Sequence, residues 1–219
     1  MEKKSLSLYH IIKAPVIKRE KSPVLFMFHG YGSNEEDLFS FAPELPDTLF
    51  IISVRAPYEL MHSSYAWNTI NFDAPAGKWS DDEQAKESRD RVVTFIGEAC
   101  HAYDLDVENV SLLGFSQGTI LSYAVALSYP EKVKNIIALS GYINTNIIVQ
   151  GYEDKDHSKL HFYCSHGSLD QVLPVAWARQ APEILDRLKI EYIYEEFPVG
   201  HGVAPENLYA FKHWLDDKL

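Results

Sequence analysis

VSLLGFSQGTILSYAVALSYP, residues 110–130, decides how this chain folds. Val110–Leu113 is a short apolar run of strand character. Thr119–Tyr129 is apolar nearly all round, as a helix buried against a sheet must be, and Pro130 ends it. Between them Gly114-Phe115-Ser116-Gln117-Gly118 carries the pattern Gly-x-Ser-x-Gly in a strand–turn–helix setting. A serine on so sharp a turn needs neighbours without side chains, so that the turn can tighten and the helix can pack close to the strand. The helix N-terminus then aims its dipole and amides at negative charge developing beside the serine. Ser116 is the expected nucleophile, and the Gln117 amide an expected oxyanion donor.

Upstream, the apolar run VLFMF (24–28) leads into His29-Gly30-Tyr31-Gly32. Glycines in a loop after an early strand let main chain approach a substrate, so the Tyr31 amide is the expected second oxyanion donor. His29 itself reads as structural. Downstream, a nucleophile elbow is followed in chain order by an acid and then a base. Asp170 in HGSLDQVLP is the expected acid and His201 in PVGHGVAPE the expected base. Each follows a strand-like run, which puts it at the end of a strand where open α/β sheets place their sites. The chemistry requires His201 to take the Ser116 proton while Asp170 holds the imidazole tautomer. Glu153, Asp154, Asp156, Glu195, Glu196, His166 and His213 compete for these roles, from a polar loop, strand positions and the last helix.

The remaining pattern sets the fold class. Apolar runs at Leu6–Ile12, Val24–Phe28, Leu49–Val54, Val110–Phe115, Ile136–Ser140, Leu160–Ser165 and Ile190–Phe197 alternate with helical stretches. Several runs are apolar on both faces, which predicts a mostly parallel central sheet with helices on both faces and right-handed crossovers. The first run is expected to pair antiparallel at an edge. Ser33 with Glu36 predicts a capping box opening a helix over NEEDLFSFAPEL. Helices are predicted over Asp81–Tyr103, Thr119–Tyr129, Val175–Lys189 (split or kinked by Pro182) and Glu206–Leu219. No repeat or linker divides the chain, so residues 1–219 are expected to form a single domain.

The net charge of −11 argues against nucleic-acid partners and against recruitment to anionic lipid by charge. No run approaches the length of a membrane span, and the N-terminus lacks the form of a signal peptide. Two cysteines in dissimilar contexts, Cys100 and Cys164, build neither a disulfide framework nor a zinc site. The expectation is a cytoplasmic protein with no metal site, monomeric or homodimeric, acting on a small molecule.

HGYGSNEEDL, GFSQG, SGYI, HGSLDQVLP and GHGV together resemble the phospholipase/carboxylesterase family, in the family's order and over nearly the whole chain. The resemblance implies a compact α/β-hydrolase fold without a large cap domain. It implies catalysis by Ser116, Asp170 and His201, oxyanion amides from Tyr31 and Gln117, and no cofactor. The activity implied is hydrolysis of a carboxylic ester, with a thioester or lysophospholipid as the alternative substrate. HGYGSNEED is closer to the bacterial esterase branch than to the thioesterase branch, and Thr119 stands where many members have glycine. A peptidase, or a non-catalytic binder of the same fold, is the remaining possibility.

One long segment, 56–80, carries Tyr58, Tyr65, Trp67, Phe72 and Trp79 and should emerge on the catalytic side of the sheet. Two readings are open. Trp67 and Phe72 form an acyl-binding wall beside Ser116, or these aromatics anchor the loop to the domain.

Overall fold

The structure, a computed structural model, describes residues 3–71 and 79–219. Its strands are β1 (His10–Lys13), β2 (Ser22–Phe28), β3 (Phe50–Val54), β4 (Tyr58–Met61), β5 (Ser64–Ala66), β6 (Ile70–Asn71), β7 (Trp79–Ser80), β8 (Leu105–Phe115), β9 (Asn135–Leu139), β10 (His161–Gly167) and β11 (Glu191–Phe197). Its α-helices are α1 (Asp82–Tyr103), α2 (Gln117–Ser128), α3 (Val175–Ala178), α4 (Ala181–Arg187) and α5 (Pro205–Lys218). Seven strands form one sheet in the order β1-β3-β2-β8-β9-β10-β11. All neighbours in it are parallel except β1, which runs antiparallel to β3 at the edge, as its looser alternation led one to expect.

Side-chain alternation along the central strands sorts the core into two layers. Phe26, Phe28, Ile52, Leu112, Ile136 and Phe162 pack on the face that α1, α2 and α4 cover. Leu25, Met27, Ile51, Leu113, Ile137 and Tyr163 pack on the other, against α5 and a 3-10 helix at Leu38–Glu44. Both faces are buried, which is why these strands read as continuous apolar runs. The chain runs from β2 outward to β3 and β1's edge, then returns to β8 and proceeds the other way. The order therefore reverses between β2 and β8, and the C-terminal ends of those two strands frame a crevice.

Several boundaries differ from expectation. The predicted strand at Leu6–Ile12 is ordered only as His10–Lys13, and β8 starts at Leu105, before the apolar run. Asp81 caps α1 by accepting from the Glu83 and Gln84 amides, both at 3.1 Å. The capping box at Ser33 and Glu36 does not form. Ser33 Oγ donates to Asp37 Oδ2 at 2.7 Å, while Asn34 Oδ1 accepts from the Glu36 amide at 2.9 Å. A local Asx turn thus replaces the cap, and the helix that follows is 3-10 with Pro43 inside it. The Val175–Lys189 helix is split into α3 and α4, with Pro182 in the first turn of α4, where its missing N–H costs nothing. Among the described residues between β3 and α1, the chain forms two short ribbons, β4–β5 and β6–β7, and no helix.

Candidate active site

Ser116 sits between β8 and α2 with φ 54° and ψ −115°, a conformation that a non-glycine residue adopts only when its surroundings impose it. Packing imposes it here. A side-chain carbon at Gly118 would overlap the Phe28 carbonyl oxygen, so α2 can lie this close to β2 only with glycine at that position. Thr119 follows Gly118 in the first turn of α2. Its hydroxyl contacts the carbonyls of Gly114 at 2.7 Å and Leu139 at 2.6 Å, and Gly141 provides the space for its methyl group. The threonine braces the elbow from beneath and takes no place in the cavity above it.

The three residues expected to share chemistry meet at the C-terminal edge of the sheet. Ser116 Oγ donates to His201 Nε2 at 2.9 Å, and His201 Nδ1 donates to Asp170 Oδ2 at 2.6 Å. Asp170 follows β10 and His201 follows β11, so adjacent parallel strands deliver the two side chains next to each other. The Asp170 side chain is wholly buried. Burial pushes its carboxyl pKa up, but hydrogen bonds from His201 and from the Leu173 and Val172 amides outweigh that and hold it below the ordinary value. The competing groups are engaged elsewhere. Glu195 accepts from the Tyr163 hydroxyl, Glu196 pairs with Arg179, Asp156 caps the Ser158 amide, and His213 is exposed on α5.

His29 is buried and structural, as expected: Nε2 accepts from the Ala56 amide at 3.1 Å, and Nδ1 lies 2.8 Å from the Gly30 carbonyl. A side-chain carbon at Gly30 would stand 3.4 Å from the Ser116 Cβ, so the loop that carries Tyr31 lies directly against Ser116. Gln117 opens α2 on the other side. Gly30, Tyr31 and Gln117 all border the same cavity as Ser116 and His201.

Sequence reasoning missed what holds the Gln117 side chain and the 29–32 loop in place. The Gln117 side chain accepts from the Trp67 amide at 2.8 Å and donates to Asn68 O and Oδ1 at 2.8 and 2.9 Å. The Trp67 indole N–H donates to the His29 carbonyl at 2.9 Å. Residues 67–68 thus clasp the elbow to the 29–32 loop. The signal was available in principle, because a buried glutamine after the nucleophile needs partners for all its polar atoms.

The clasp corrects the acyl-wall reading of Trp67. Its side chain is 1 % exposed, packs edge-on to Phe28 at 5.4 Å and lies outside the cavity lining. Phe72 lies outside the described residues. Trp67→Ala should therefore cost about 3–5 kcal/mol of stability, read as a lowered melting temperature, with kcat/KM falling equally for acetyl and octanoyl esters. A selective loss with the longer ester would restore the wall.

The cavity itself measures about 280 Å³. Ile70, Ala85, Ile120, Ile147, Val172 and Trp177 supply its apolar lining, and Asn68, Ser80 and Asn144 add polar edges. Trp177 packs edge-on against Tyr142, with ring centroids 5.2 Å apart. Among the described residues no three His, Cys, Asp or Glu side chains are grouped to hold a metal ion. No helix among them is long and apolar enough to cross a membrane.

The chain is similar to known proteins in sequence and in fold. The sequence model of the phospholipase/carboxylesterase family matches residues 11–219. A probable carboxylesterase of Oryza sativa subsp. japonica is 26% identical over 94% of this chain and 81% of its own length. Acyl-protein thioesterase 1 of Debaryomyces hansenii is 22% identical over 94% of this chain and 95% of its own. Among solved structures, the Bacillus cereus carboxylesterase superposes with a TM-score of 0.82 at 19% identity, covering 97% of this chain and 95% of that one. Esterase PE8 also reaches 0.82, at 26% identity, covering 98% of this chain and all (100%) of that one. The fold is that of the α/β-hydrolases.

Proposed function

Because this chain belongs to the phospholipase/carboxylesterase family, we propose that it is a serine hydrolase cleaving carboxylic esters of small or medium acyl chains through an acyl-enzyme intermediate. The observation that carries this reading is the continuous relay from Ser116 Oγ through His201 to the buried Asp170, opening onto an apolar cavity.

The steps follow from the geometry. His201 Nε2 takes the Ser116 proton as Oγ attacks the ester carbonyl carbon, and Asp170 holds the proton on Nδ1 and stabilises the imidazolium. The amides of Tyr31 and Gln117 stabilise the oxyanion, Gln117 with the N-terminal dipole of α2 behind it. The imidazolium then gives its proton to the departing alkoxide, and the acyl group stays on Oγ. Water, deprotonated by the same imidazole, attacks the acyl carbon, releases the carboxylic acid and restores Ser116.

Cavity size supports the substrate range. At about 280 Å³ it stands at the lower end of ligand sites, which run from roughly 300 to 1,000 Å³. A short or medium acyl chain fills such a space, whereas a long one must project out of it. The whole site is carried by one α/β unit, and its two cysteines are free and buried, which suits a reducing, cytoplasmic setting.

Two measurements test the reading. A fluorophosphonate should form one adduct, on Ser116; labelling elsewhere, or none, turns the chain into a binder that has kept the fold. A panel of p-nitrophenyl esters from acetyl to palmitoyl, with matched thioesters and lysophospholipids, should peak at or below medium length among the oxygen esters. A preference for thioesters would move the assignment to the thioesterase alternative.

A further inference from the structure

His166, the penultimate residue of β10, is a buried titratable group that the mechanism above leaves unused, and its position relative to Asp170 gives it work to do. The side chain is wholly buried, as is that of Asp170. Its Nε2 lies 2.9 Å from the Leu173 carbonyl oxygen and 3.2 Å from Asp170 Oδ2. Both of those atoms only accept, so Nε2 carries a proton. The other ring nitrogen, Nδ1, is buried and has no hydrogen-bond partner among the described residues. A proton there would leave an orphaned N–H in the interior, while a bare lone pair is the cheaper vacancy, so the ring is the neutral Nε2–H tautomer.

That assignment completes the surroundings of the Asp170 carboxylate. Oδ1 accepts from the Val172 and Leu173 amides at 2.8 and 2.9 Å. Oδ2 accepts from His201 Nδ1, and the His166 N–H, which donates to the Leu173 carbonyl, lies beside it with Nε2 3.2 Å away. His166 also ties down the Leu173 carbonyl, at the far end of the turn whose amides hold Oδ1. We propose that His166 is a positioning residue for the reaction: its Nε2–H fixes the plane of the Asp170 carboxylate and the 170–173 turn, and through them the orientation of His201. The ring does not line the cavity and does not touch substrate. This inference rests on the triad reading above.

A second consequence concerns charge. The positive end of the His166 N–H dipole, with Nε2 3.2 Å from Oδ2, offsets part of the negative charge that His201 feels. Removing it leaves Asp170 a stronger partner for protonated His201, so the acid limb of kcat/KM should move to higher pH. The other ionisable group facing the ring is Glu196, its register partner on β11. A hydrogen bond from Arg179 holds the Glu196 carboxyl below its ordinary pKa, so it stays charged over the range tested and does not generate the shift.

The experiment compares His166→Leu, His166→Gln and His166→Asn with p-nitrophenyl butyrate between pH 5 and 9, with active sites titrated by fluorophosphonate. Leucine removes the donor, glutamine places an amide N–H near the Nε2 position, and the shorter asparagine reaches only the Nδ1 position. His166→Leu should lower kcat about 10-fold, as losing one buried hydrogen bond that holds the Asp170 turn does. KM should change little and the acid limb should rise. His166→Gln should recover most of kcat and the original limb, and His166→Asn should not. A purely structural role would reduce the titratable fraction and the melting temperature, leaving kcat per active site and the limb as in the parent. That result, or equal kcat per active site in the glutamine and asparagine variants, overturns the proposal. Should His166→Leu fail to fold, the glutamine–asparagine pair decides alone. Loss of the triad reading itself would be separately visible, because Ser116→Ala would then keep its activity.

Discussion

Ser116→Ala is expected to lower turnover by about 10⁶-fold while the protein stays folded. The change deletes one oxygen, which gives a single 2.9 Å hydrogen bond to His201 and reaches the cavity. Everything that shapes the elbow is elsewhere: the close approach of Gly118 to β2, the Thr119 hydroxyl on Gly114 and Leu139, and the Ser116 amide donating to the Leu139 carbonyl at 2.9 Å. Alanine at φ 54° carries the same backbone strain as serine, so the melting temperature should stay within a few degrees of the parent. Any residual rate, on the order of 10³–10⁴ over water, would come from the oxyanion amides and binding alone. Stopped assays on purified protein, with fluorophosphonate labelling in parallel, measure both. A variant retaining a few per cent of parental turnover would show that another group attacks the ester.

Sequence reading picked out Ser116, Asp170 and His201, which the structure brings together, because their constraints are local. A strained turn needs Gly118, a helix needs its apolar face, and each functional residue follows its own strand by a few positions. Parallel strands then align those ends without any further information. What escaped depends on partners distant in sequence. Trp67 is an aromatic in a long loop, and nothing within residues 56–80 says whether it meets substrate or core. Its role is set by Gln117 and His29, 50 and 38 residues away. The capping box failed for a related reason. Glu35 is drawn to Arg55 across 20 residues, at 2.7 Å, and the backbone between Ser33 and Asp37 turns to deliver it. His166 was weighed only as a rival base, because its neighbour Asp170 is four residues along a loop whose course the sequence does not specify.

Asp170→Asn should reduce turnover by roughly 10⁴-fold, and the surroundings of the carboxylate say why. Two backbone amides, from Val172 and Leu173, converge on Oδ1, so an asparagine here must place its carbonyl oxygen there. Its NH₂ group then takes the Oδ2 position, facing His201 Nδ1. Two donors cannot share that contact. The imidazole responds by moving its proton to Nε2, the atom that must be bare to accept from Ser116 Oγ. The same NH₂ meets the His166 N–H, so the mutation also disturbs the ring behind it. Stability should respond to pH in a characteristic way. The Asp170 carboxyl is held below its unfolded value, so it stabilises the fold at neutral pH, and that contribution is lost as pH falls through the folded value. Asparagine has nothing to titrate there. The melting temperature of Asp170→Asn should therefore start lower than that of the parent at pH 7 and fall less steeply towards pH 3, while kcat stays depressed at every pH. Parental kcat in this variant, or two melting curves that run parallel through the acid range, would show that Asp170 does not hold His201 in the working tautomer.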